Sequence, residues 1–110
     1  MQNAPLEISP EDLHQRLQAG DDLQLVDVRE DMEFDYCHLP GSQLVPLSEL
    51  MRRTDEIRPD GPVVLICHHG VRSMQALAYL QQRLGYQNLL SLRGGVAAWA
   101  ERVDPTFPTY

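Results

Sequence analysis

Four apolar residues, Val63-Val64-Leu65-Ile66, run directly into Cys67, and the segment His68-His69-Gly70-Val71-Arg72-Ser73 follows before Met74 to Leu80 takes up a helical pattern. The order is strand, loop, helix, with a sulfur where the strand ends. In an open α/β sheet that edge is where ligands bind. Loop amides and the start of the next helix present positive partial charge there, which favours both a thiolate and an anion brought up to it. A lone cysteine after an apolar strand can equally be an inert small hydrophobe. The loop composition favours reactivity. Gly70 frees the backbone for unusual dihedrals, and Arg72 carries a planar fork of donors suited to oxyanions. Cys67 is therefore the candidate nucleophile. His68, His69, Gly70, Val71, Arg72 and Ser73 form the candidate substrate-binding loop.

The elements that hold this loop follow from punctuation and periodicity. Ser9 and Pro10 mark a helix start, with Ile8 and Leu13 at staple spacing and Gly20 as the stop. Leu23 to Val28 reads as a buried strand. A short helix is expected between Glu30 and Cys37, a turn at Leu39-Pro40-Gly41 and a brief strand at Leu44-Val45. Ser48 to Ile57 has a helical pattern, and Arg58 to Pro62 breaks the chain ahead of the Val63 strand. The helix after the loop carries Met74, Leu77, Ala78 and Leu84 on one stripe and ends near Gly85. Leu89 to Leu92 is a further strand, and Val96 to Val103 forms a last helix around Trp99. The prolines of Asp104 to Tyr110 predict an extended tail. Alternating strands and helices imply an α/β fold, with a mostly parallel sheet of about five strands covered on both faces. The whole chain, 1–110, reads as one domain with its core at about 6–103.

The net charge of −7 over 110 residues argues against nonspecific binding to nucleic acid or to an anionic membrane surface. All nine fixed positive side chains are arginines. Two cysteines are too few for a secreted disulfide framework. Met1-Gln2-Asn3-Ala4-Pro5 has neither a basic start nor an apolar core, so no signal peptide is expected, and a cytoplasmic setting is the default.

Asp27 ends its strand as Cys67 ends the later one, and a parallel sheet puts both on the same edge. Asp27 and Arg29, two residues apart, project to one side if the extended backbone persists. They are read as a supporting ion pair that shapes the loop, against the alternative of a solvated surface pair. Cys37 is read as structural. Zinc is set aside because Cys37-His38 and Cys67-His68-His69 match no common ligand spacing.

Several blocks then match one family in its own order. Val26-Asp27-Val28-Arg29-Glu30, His38-Leu39-Pro40-Gly41-Ser42 and Val45 to Leu50 resemble the opening blocks of rhodanese-like domains. Cys67 to Ser73 is similar to their active-site loop, and Leu92-Arg93-Gly94-Gly95 with Trp99 to their closing block. The resemblance implies a single-domain sulfurtransferase. Cys67 would take sulfane sulfur from thiosulfate as a persulfide and pass it to cyanide or another thiophilic acceptor, with no metal or organic cofactor. A protein sulfur donor or acceptor is a further partner class. Four residues separate Cys67 from Arg72; cysteine-dependent phosphatases of this fold carry one more, so phosphatase or arsenate-reductase chemistry is the weaker rival. A non-catalytic binding module of the same fold is the rival from another class. His68 departs from the family, where thiosulfate-using members often carry arginine or lysine. With an unperturbed pKa of about 6.5, histidine is only partly charged near neutrality.

Overall fold

A computed structural model describes residues 6–110; the absence of a leader expected at Met1–Pro5 lies outside them. Five parallel strands form one sheet: β1 (Glu7–Ile8), β2 (Gln24–Asp27), β3 (Gln43–Leu44), β4 (Val63–Ile66) and β5 (Leu89–Leu92), in the order β1-β5-β4-β2-β3. Between them run α1 (Pro10–Gln18), α2 (Asp31–Tyr36) and α3 (Val71–Leu84), and α4 (Gly95–Arg102) follows β5. The α/β class and the parallel sheet expected from the sequence are present.

The period of two along β4 divides its buried side chains between two cores. Val64 and Ile66 face a core shared with Leu13 of α1 and Val96, Trp99 and Ala100 of α4. Val63, Leu65 and Cys67 face the other, against Ala76, Leu77 and Leu80 of α3. All four β4 residues are fully buried, as expected for a strand covered on both faces. Cys37 belongs to the first core and Cys67 to the second, so the sheet lies between the two free thiols.

The start of α1 is as expected. Asp12 N–H donates to Ser9 Oγ at 3.1 Å, and Ile8 and Leu13 are buried in the same core. Ile8 also belongs to the short strand β1, which the sequence pattern does not mark. Three other segments differ from expectation. Ser48 to Ile57 forms two 3₁₀ turns, Leu47–Arg52 and Thr54–Glu56, in place of one helix. The break is at Arg53 (φ −127°), whose guanidinium bonds the Leu44 carbonyl, Glu49 and Glu56. The β3 pairing covers Gln43–Leu44, one residue earlier than expected. The tail is not extended throughout. Asp104 accepts from the N–H and hydroxyl of Thr106, Phe107 N–H returns to the Asp104 carbonyl, and Phe107 is buried in the first core. That turn sends Pro108 to Tyr110 back across the carboxyl edge of the sheet.

Candidate active site

Cys67 follows the last residue of β4, and the loop His68–Gly70 turns the chain into α3. Gly70 caps that helix with φ +99°, a left-handed conformation that glycine adopts without strain. The turn folds two backbone donors onto the sulfur: Gly70 N–H at 3.0 Å and Ser73 N–H at 3.3 Å. Ser73 Oγ lies 3.4 Å from Cys67 Sγ and 2.7 Å from Ser91 Oγ on β5, so a buried pair of hydroxyls backs the sulfur. Cys67 is 1% exposed. The donors converge on the sulfur as they would on an anion.

The other side of the loop is pinned by α4. Val96 N–H donates to the Cys67 carbonyl at 2.9 Å and Ala97 N–H to the His68 carbonyl at 3.0 Å. These are first-turn amides of α4, which otherwise lack partners within their own helix. The loop thus sits between the N-terminal ends of two helices.

The candidate loop residues have distinct places. Gly70 and Ser73 touch the sulfur. Val71 points outward, 66% exposed, so its contribution to a ligand is confined to the backbone. His68 stacks between His69 and Tyr110, with ring centroids 3.9 Å from each. Burial, reinforced by the neighbouring His69, lowers the His68 pKa below its ordinary value. Arg72 sits at the mouth of the loop in a bidentate ion pair with Glu33 of α2, at 2.7 and 2.9 Å. The sequence suggests that the Arg72 fork meets an incoming anion; in this structure a carboxylate of the chain itself occupies it.

Asp27 and Arg29 form a fully buried pair, not a solvated one. Arg29 Nε and Nη2 reach the Asp27 carboxylate at 2.9 and 2.7 Å, and the Arg29 N–H adds a third bond at 3.0 Å. Burial alone would lower the Arg29 pKa, but hydrogen bonds to Asp27 and then Tyr110 raise it above the ordinary value. The remaining donors bind the Cys37 carbonyl at 2.6 Å and the Tyr110 hydroxyl at 2.7 Å. Every face of the buried guanidinium is thereby matched.

Three residues at the site are not apparent from the sequence: Glu33, Ser91 and Tyr110. Glu33 is the third residue of α2, where its side chain accepts from the Glu30 N–H in a capping box. The Glu30/Glu33 spacing is the available signal, though it announces the helix start and not the Arg72 contact. Tyr110 donates its hydroxyl to Glu33 at 3.0 Å, and burial pushes its pKa up to about 12.

The Arg72 hydrogen bond holds the Glu33 carboxyl down at about 2, against an ordinary 4.5. The folded state thus binds this proton more weakly than the unfolded chain. Its stabilisation is present above pH ~4.5 and is lost as pH falls towards 2. His68 acts in the same direction, since its folded pKa is also lowered and acid protonates the unfolded chain first. Urea melts between pH 5 and 2.5 should show a loss of about 1–3 kcal/mol attributable to Glu33. Glu33→Gln should flatten that part of the profile; an unchanged slope would mean the ion pair contributes nothing to folding.

Among the described residues no helix is long and apolar enough to cross a membrane. Residues 9–102 match the family model described as the rhodanese-like domain. A protein of Allochromatium vinosum named sulfurtransferase is 44% identical over 99 residues, spanning 90% of this chain and 92% of its own length. The probable adenylyltransferase/sulfurtransferase MoeZ of Mycobacterium tuberculosis is 36% identical over 105 residues, but this chain spans only 26% of its length. A rhodanese-related protein from Thermoplasma volcanium has a similar structure, with TM-score 0.77 and 31% identity over 93% of this chain and 94% of that one. A rhodanese-like domain protein from Staphylococcus aureus superposes with TM-score 0.81 at 25% identity, covering 94% and 97%. With the family match spanning most of the chain, and with a relative 44% identical over nine-tenths of both lengths, the chain belongs to the rhodanese-like domain family.

Proposed function

We propose that this chain is a sulfurtransferase that carries sulfane sulfur on Cys67. The observation that carries the reading is the sulfur itself: a cysteine at the carboxyl end of β4, with Gly70 and Ser73 N–H groups donating to its Sγ. The Cys67 thiolate attacks the outer sulfur of a donor, thiosulfate or a persulfide. A new S–S bond to Cys67 forms as the donor's own bond to that sulfur breaks, and sulfite or a thiolate leaves with the electron pair. Cyanide, a thiol or a protein acceptor then attacks the sulfane sulfur and releases the Cys67 thiolate. Fixed amides offset the negative charge on sulfur in each step without having to reorganise. Asp27 and Arg29 support the edge from which the loop springs. The shorter Cys67-to-Arg72 loop favours sulfur over phosphate chemistry.

A protein donor or acceptor fits this reading. MoeZ, which this chain matches over one part, is by name both an adenylyltransferase and a sulfurtransferase. The net charge of −7 suits a basic partner. Two free thiols accord with a reducing compartment, the cytoplasm.

Intact mass of the reduced protein after incubation with thiosulfate, and separately with an organic persulfide, tests the proposal. Either donor should add one sulfur atom, mapped to Cys67 and not Cys37, and cyanide should remove it as thiocyanate. A protein that gains no sulfur from either donor would sink the sulfurtransferase reading in favour of the binding module.

A further inference from the structure

Arg72 is the only lysine or arginine between positions 58 and 83, and so the one fixed positive charge of the catalytic loop. It is not free. Both ends of its fork are held by Glu33, which itself accepts from the Tyr110 hydroxyl, and that hydroxyl accepts from buried Arg29. The result is a continuous chain, Asp27–Arg29–Tyr110–Glu33–Arg72, anchored in the sheet and ending on the loop. Each link is between 2.7 and 3.0 Å. A rim ion pair of two flexible side chains would open easily. Here Glu33 is fixed from three sides, by the Glu30 N–H, the Tyr110 hydroxyl and Arg72. The next residue after the cysteine adds little positive charge, because His68 is stacked and partly buried. Backbone amides and the exposed His69 ring, which carries no fixed charge, are what remain to meet a donor.

We propose that Glu33 sets the donor specificity of the Cys67 site: by clamping Arg72 and cancelling its charge, it selects singly charged or neutral sulfane-sulfur donors, such as organic persulfides, over dianionic thiosulfate. This rests on the sulfurtransferase reading above and narrows its substrate class. The depressed Glu33 pKa keeps the carboxylate charged throughout the range in which a thiolate works. The favoured half-reaction is balanced. The Cys67 thiolate attacks the outer sulfur of R–S–SH, the bond between the two donor sulfurs breaks, and R–S⁻ leaves with the electron pair. The proton stays on the transferred sulfur or passes to solvent.

Methanethiosulfonate and thiosulfate isolate the charge. Both present a terminal sulfane sulfur on an oxidised sulfur, but the first carries one negative charge and the second two. With cyanide as acceptor, kcat/KM is measured for both donors in the wild type, Glu33→Gln and Tyr110→Phe. Gln keeps the shape and the capacity to accept the Glu30 N–H. Uncovering the Arg72 charge should raise the ratio of thiosulfate to methanethiosulfonate kcat/KM roughly tenfold in Glu33→Gln. Tyr110→Phe keeps the ring on His68 but removes one of the bonds that hold Glu33, and should move the ratio the same way by about twofold. The ratio is independent of the fraction of folded enzyme, so a destabilised variant still reports. A parallel fall for both donors would make Glu33 a positioning residue for Arg72 and overturn the proposal, as would an unchanged ratio. If neither of these donors nor an organic persulfide loads sulfur onto any of the three proteins, the sulfurtransferase reading itself fails and takes this inference with it.

Discussion

Cys67→Ser is expected to lower sulfur transfer by at least about 10⁴-fold while leaving the fold in place. A serine hydroxyl at neutral pH is almost wholly protonated and is a poor nucleophile towards sulfur. No stable carrier equivalent to a persulfide can form on its oxygen. The loop itself has little reason to change. Gly70 and Ser73 N–H groups that donate to Cys67 Sγ have a serine oxygen to donate to, and the neighbouring Ser73 hydroxyl gains a partner of its own kind. The thermal stability should therefore remain within about 2 kcal/mol of the parent, the cost of a small polar group placed in a site 1% exposed but already lined with donors. Turnover with cyanide and thermal melts on the same preparation separate the two effects. Turnover that survives at a tenth of the parent rate would remove Cys67 from the mechanism. Activity lost together with the melting transition would show only that the loop is needed for folding.

The strand and loop that carry Cys67 are legible in the sequence because local chemistry dictates them. Val63 to Ile66 have the β-branched character of a strand buried on both faces, and Gly70 supplies the one residue at φ +99° that the turn into α3 requires. The Asp27–Arg29 pair is legible for the same reason, since two residues along an extended backbone share a side. What the sequence does not disclose is carried by contacts between distant positions. Arg72 meets Glu33 across 39 residues and Tyr110 meets Glu33 across 77. Nothing in the local pattern of a polar six-residue helix or a proline-rich tail marks either as a neighbour of Cys67. Prolines at 105 and 108 point to an extended tail, but the Asp104 side chain caps a turn between them and Phe107 anchors it in the core. Ser48 to Ile57 departs for another reason: its apolar spacing is helical, yet the side-chain bonds of Arg53 to Leu44, Glu49 and Glu56 outweigh one continuous helix.

Gly95→Ala should be the most damaging single methyl group in the chain, costing about 3 kcal/mol or more and at least about 10² in kcat/KM. Gly95 begins α4 at φ +62°, and a Cβ there would overlap the carbonyl oxygens of Cys67 and His68. Both are backbone atoms, so no rotamer change relieves the overlap. The same two carbonyls are held by Val96 and Ala97 N–H groups, so the alanine variant must either lift α4 off the loop or push the loop off the sheet. The first choice disturbs the core around Val96 and Trp99; the second moves the sulfur away from its amides. Backbone strain and steric overlap can be told apart within this chain. Gly85 has φ +75° and open space for 4 Å around the point a Cβ would take, so Gly85→Ala bears the strain alone, about 1 kcal/mol, and should leave sulfur transfer untouched. If Gly95→Ala were no worse than Gly85→Ala in melts and kinetics, the close approach of α4 to the loop would not be what fixes Cys67. A large excess loss at Gly95 would show that this glycine acts by letting α4 start within bonding distance of the Cys67 carbonyl.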